Sequence, residues 1–138
     1  MIIDGENLIV GRLASFAAKK ARMGEKIVIV NSEKAVFSGS KKDVFERFKR
    51  KRKMGNVFKG PFVSRTPDRI VRRAIRGMVD YKKSRGMEAY RRIKCYVGVP
   101  EEYKNEKMEK LDEANVGKLP NLKFVTVDDI SKFLGKND

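Results

Sequence analysis

Lys26-Ile27-Val28-Ile29-Val30 decides the fold class. Four β-branched residues follow one another with no polar alternation, the pattern of a central strand covered on both faces. Upstream, residues 9–22 read as a helix rich in small side chains, with Ala14, Ala17, Ala18 and Ala21 set around Leu13 and Phe16. Small residues let a helix lie close to a sheet, and Met23-Gly24 ends it with a glycine suited to a left-handed C-cap. Before that helix, Ile2-Ile3-Asp4 is a short strand closed by a Gly5-Glu6-Asn7 turn. Strand, helix and buried strand within about thirty residues make a βαβ unit, for which a right-handed crossover is expected. The chain is therefore read as α/β.

Downstream, the chain turns through Ser38-Gly39-Ser40, where Ser40 is placed to cap a helix whose narrow apolar stripe is Val44, Phe45 and Phe48. Lys49-Arg50-Lys51-Arg52-Lys53 then puts charge on every side of a helix. Such a run either projects from the body or is held by an external polyanion. Residues 54–67 carry loop punctuation at Gly55, Gly60-Pro61 and Thr66-Pro67. Thr66 is expected to cap the next helix, with Pro67 at its first position. A helix over 67–79, ending near Tyr81, places Ile70, Val71, Ala74, Ile75 and Met78 on one face. Lys82 through Gly86 reads as a basic turn, Met87–Arg92 as a short helix and Ile93–Val97 as the third strand. Past Pro100 the signs alternate in a near-neutral surface segment, helical at most near its start. Leu122–Val127 is the fourth strand, and Asp128 caps a last helix that turns Ile130, Phe133 and Leu134 inward.

Charge carries the functional signal. The 138 residues hold 33 Lys and Arg against 18 Asp and Glu, a formal net charge of +15. Residues 41–95 alone hold 20 basic and 5 acidic side chains, net +15, while the segments on either side nearly cancel. Within this region Arg69, Arg72, Arg73 and Arg76 lie opposite the apolar stripe of their helix. At about 100° per residue they span an arc of roughly 100°. Asp68 and Asp80 stand only at the ends of that stretch. Like charges so placed repel by a few tenths of a kcal/mol per pair. An ordinary solvated face mixes both signs. A polyanion that neutralises the stripe explains it better, and nucleic acid is the first partner to consider. Phe58, Phe62, Tyr81 and Tyr90, interspersed in the basic region, read as core or loop anchors rather than platforms for bases.

Other chemistry is sparse. Cys95 is the single cysteine and there is no histidine, so an internal disulfide, a zinc ribbon and a zinc finger are excluded. Cys95 reads as a small buried hydrophobe. Ser38-Gly39-Ser40-Lys41-Lys42 lacks the spacing of a nucleotide P-loop; it is a helix start first and an RNA phosphate contact second. Acid–base catalysis would need a carboxyl or lysine tuned by burial, and no motif marks one. Apolar runs are too short for a membrane span, the acidic start resembles no leader peptide, and a reducing cytoplasmic compartment is expected. Cofactor, metal, membrane and small-molecule substrate are all expected to play no part. A regulatory protein acting on messenger RNA and a nucleotide-handling α/β enzyme are the competing readings.

Gly60-Pro61-Phe62, Arg65-Thr66-Pro67, Arg69-Ile70, Arg76-Gly77-Met78 and Lys82 through Arg85-Gly86 together carry a resemblance. So do Gly11-Arg12-Leu13-Ala14-Ser15 and Val30-Asn31-Ser32-Glu33 with Ser38-Gly39. In order and spacing, over roughly residues 2–100, they resemble the universal large-subunit ribosomal protein family numbered thirteen, in its archaeal and eukaryotic branch. Val63 stands where that family usually carries a histidine. The resemblance implies a three-layer α/β/α sandwich on a four-stranded, mostly parallel sheet, formed as one domain over residues 1–138. It also implies a structural protein bound to large-subunit rRNA, joining early in assembly beside other ribosomal proteins. The residues expected to meet RNA are Lys41, Lys42, Lys49, Arg50, Lys51, Arg52, Lys53, Lys59, Arg65, Arg69, Arg72, Arg73, Arg76, Lys82, Lys83 and Arg85. The Lys49–Lys53 run would reach into an RNA groove, ordered only by that partner.

Overall fold

Strand pairing radiates from the β-branched run. In the computed structural model, which describes residues 1–55, 58, 64–119 and 123–135, the chain opens with β1 (Ile2–Asp4), α1 (Val10–Arg22) and β2 (Ile27–Val30). β3 (Val36–Ser38), α2 (Lys41–Lys53), α3 (Pro67–Arg76), α4 (Ser84–Arg91) and β4 (Ile93–Cys95) follow, and β5 (Phe124–Thr126) and α5 (Val127–Phe133) come last. β2 lies between β1 and β4, parallel to both, with Ile3 opposite Ile29 and Ile27 opposite Ile93. Ile27, Ile29 and Val30 are fully buried, as a central strand requires. The alanines of α1 are buried as well, and this helix packs against α3 and α4.

The expected four-stranded sheet is corrected to two sheets. β5 does not extend the parallel sheet; it pairs antiparallel with β3, Phe37 opposite Val125. Ser38, expected at the start of a turn, is instead the last residue of β3. Along the open side of β1 runs the near-neutral segment beyond Pro100. Glu109 N donates to the Ile2 carbonyl at 2.8 Å and its own carbonyl accepts from Asp4 N at 3.0 Å. Further on, Ile9 N donates to Ala114 and Val116 N donates to Asn7. A strand edge is a template for further pairing, and here a stretch of the same chain occupies it. The start of this segment is a 3₁₀ turn at Glu101–Tyr103.

Helix ends differ from expectation in instructive ways. Ser40 Oγ accepts from Asp43 N, as the sequence predicts for a cap. Thr66 occupies the N-cap position of α3 but makes no capping bond; its hydroxyl meets Ser64 Oγ at 3.3 Å. Thr126, not Asp128, caps α5, because that helix begins two residues earlier and the Thr126 hydroxyl accepts from Asp129 N. α3 ends at Arg76 with Gly77 as its C-cap, short of the predicted Val79. The chain after Gly77 no longer follows the helical phase, so Met78 is 42 % exposed and Val79 is buried in its place. Ser84, Arg85 and Gly86 belong to α4 rather than to a turn, and the whole Lys49–Lys53 run is the helical end of α2. The Gly60–Val63 motif and Lys59 lie outside the described residues, as does the start of the predicted fourth strand.

Candidate nucleic-acid interface

α3 presents the face its sequence demands. Ile70, Val71 and Ile75 are buried against the body, while Arg69 and Arg73 are exposed and Arg72 and Arg76 half-buried on the other side. Among the described residues, none of these four guanidinium groups pairs with a carboxylate; the ion pairs join Lys20 to Glu25, Lys110 to Asp4 and Lys132 to Asp128. Among the described residues no carboxylate within ion-pair distance offsets the mutual repulsion of the stripe.

Two of the four arginines are positioned by the fold. Arg72 lies with its Cζ 4.2 Å from the ring centre of Tyr90, and its Nε donates to the Ile93 carbonyl at 3.3 Å. Arg76 lies 4.4 Å from the ring centre of Tyr81. Each ring attracts the cation over its face, worth about 0.5–2 kcal/mol, and holds the guanidinium plane in one orientation. Tyr81 and Tyr90, expected as core or loop anchors, pack against the hydrophobic core and in addition hold these arginine side chains. Neither was among the residues expected at the site. Tyr90 is eighteen positions from Arg72, so the pairing has no local signal in the sequence.

The C-terminal half of α2 completes the site. Between it and α3 lies a cleft of about 590 Å³. Lys51, Arg69, Arg72, Arg73 and Arg76 line it together with Ser64, Tyr90, buried Phe48 and Ile70, and exposed Met54. No acidic residue is among these described lining residues. Lys51 is exposed, with its Nζ 5.4 Å from the centre of the Phe48 ring. The other predicted residues are distributed around this centre. Lys49, Arg50 and Lys53 are exposed on the same helix end. Arg52 instead turns inward, half-buried, and donates to the Leu134 carbonyl at the end of α5 at 2.6 Å. That bond uses one of its five N–H donors and ties α2 to α5.

Lys41 and Lys42 are exposed at the far end of α2, about 15 Å from Lys51 along the helix axis, with Lys41 over Phe45. Arg65 is exposed just ahead of α3, its carbonyl accepting from Ser131 Oγ. Lys82 and Lys83 are exposed in the turn between α3 and α4, and Arg85 in the first turn of α4; none of the three borders the cleft. Cys95, at the end of β4, is buried, and that burial pushes its thiol up to about 12, with the Arg72 charge opposing the shift. Among the described residues, no helix is long and apolar enough to cross a membrane.

Comparison with known proteins shows the family. The family model described as Ribosomal protein L13 matches residues 1–102. A large ribosomal subunit protein uL13 from Archaeoglobus fulgidus is 46% identical over 135 residues, covering 97% of this chain and 86% of the relative. The protein of the same name from Methanococcoides burtonii is also 46% identical, covering 97% of this chain and 96% of the relative. That from Methanococcus maripaludis is 45% identical over 98% of this chain and 97% of its own length. With the family model matching residues 1–102 and archaeal relatives matching nearly end to end, the chain belongs to the ribosomal protein L13 family, in its archaeal-type branch.

Proposed function

We propose that this chain is a structural, non-enzymatic constituent of the large ribosomal subunit, acting in cytoplasmic ribosomes by binding and stabilising large-subunit rRNA. It joins early in assembly, while the RNA it braces is still accessible, and neighbouring ribosomal proteins later abut it. The arginine face of α3, whose four guanidinium groups form no ion pair with a carboxylate among the described residues, is the observation that carries this reading. The naming of its relatives as large-subunit proteins supplies the context. Arg69, Arg72, Arg73 and Arg76 form the centre of the interface. Lys51 faces them across the cleft, and Lys49, Arg50, Arg52, Lys53 and Arg65 extend it; Lys59, outside the described residues, is proposed as a contact from its sequence alone. Lys82, Lys83 and Arg85 contact phosphates on one flank, and Lys41 and Lys42 on another. Arginine grips phosphate through a planar fork and lysine as a point charge, so a mixed field holds a folded backbone at many points without reading sequence. The whole chain serves as one domain, with residues 41–95 facing RNA and residues 96–138 turned to other surroundings.

Sedimentation of a cell lysate tests this directly. The chain is expected almost wholly with large subunits and already with their early precursors. A chain found mainly free, or on messenger particles, would favour a regulatory RNA-binding role instead.

A further inference from the structure

We propose that the cleft between α2 and α3 receives an unstacked base from a bulge or loop of its RNA, laid against the guanidinium plane that Tyr90 supports. This deepens the RNA-binding reading above and rests on it. A continuous duplex meets a protein through phosphates spread over a broad surface, for which exposed Arg69 and Arg73 suffice. The α2–α3 cleft offers something different. Its volume of about 590 Å³ falls in the range that encloses a small planar ligand. Buried Phe48 and Ile70, with exposed Met54, give it an apolar lining, which no phosphate would seek.

Arg72 is the decisive side chain. With its Cζ 4.2 Å from the Tyr90 ring centre and its Nε bonded to the Ile93 carbonyl, its plane is fixed before any RNA arrives. A guanidinium stacked on one face retains a second face, and nucleobases splayed from folded RNA stack on such planes. The cations around the rim, Lys51 and Arg73 among them, would hold the phosphates on either side of the inserted nucleotide. Fixing the plane in advance spares the entropy of ordering a long side chain on binding.

The test uses the full chain and two hairpin RNAs of equal length. One has a fully paired stem; the other carries a single bulged fluorescent adenine analogue. The wild type should quench the analogue and bind the bulged hairpin about tenfold more tightly, the scale of one base–plane stack. Arg72→Lys, which keeps the charge and removes the plane, should bring the ratio of the two affinities close to one. Tyr90→Leu should do the same, whereas Tyr90→Phe, which keeps the ring, should preserve the preference and the quench. Equal wild-type affinities with no quench would overturn the inference and leave RNA binding itself intact. Wild-type protein that binds neither hairpin would overturn both readings.

Discussion

Gly86 has no room for a side chain. A Cβ there would overlap the backbone of Asp80, because the first turn of α4 lies directly on the chain leaving α3. Gly86→Ala is therefore expected to cost about 1–3 kcal/mol of stability in denaturant titration, the range for forced overpacking. An unchanged midpoint would show that the two segments can separate freely. Cys95 makes a second prediction. Its thiol has an ordinary value of 9.0 and is raised to about 12 by burial, so the folded state keeps its proton where the unfolded state loses it. Its contribution to stability is full below pH 9.0 and is lost as pH rises toward 12. The wild type should lose stability over that window faster than Cys95→Ala does, and the native thiol should resist alkylation until the chain unfolds. The sequence showed Cys95 as a buried hydrophobe from its apolar neighbours. Gly86 gave no such sign, since its constraint comes from a residue across a turn rather than from its own conformation.

Elements were legible where one periodicity governed them. The β-branched run and the alanine-rich helix before it were read correctly because burial on known faces leaves no other arrangement. α3 was read correctly in its two faces and wrongly in its end, since Gly77 stops the helix before Met78 can reach the core. β3 and β5 were harder. Each is three residues long, and their antiparallel pairing joins positions almost ninety apart in sequence, with no local pattern to announce it. The basic end of α2 was the least legible of all. Nothing in Lys49–Lys53 marks Arg52 as different from its neighbours, yet it alone among these five reaches the Leu134 carbonyl. Arg52→Ala should lower stability by about 1.5–3 kcal/mol, the value of a hydrogen bond from a charged group. Lys49→Ala and Lys53→Ala, at exposed positions, should change stability by less than about 0.5 kcal/mol. Equal effects at all three positions would mean that Arg52 does not hold α2 to α5.

Across the whole molecule, one chain separates two tasks. The near-neutral segment after Pro100 closes the sheet edge at β1 through backbone bonds, a role its alternating charges concealed. The basic region between residues 41 and 95 keeps its strongest face without internal acid partners among the described residues. That separation is what an RNA-embedded protein requires, since carboxylates near the stripe would compete with phosphates for the same guanidinium groups. Arg69 and Arg73, exposed and without carboxylate partners among the described residues, isolate this claim from the structural duties of Arg72 and Arg76. The decisive measurement is the salt dependence of affinity for a large-subunit rRNA fragment, compared between wild type and the Arg69→Gln/Arg73→Gln double variant. Two lost phosphate contacts should reduce the log–log slope by about 1.4–1.8. An identical slope in both proteins would mean that no phosphate meets this face of α3.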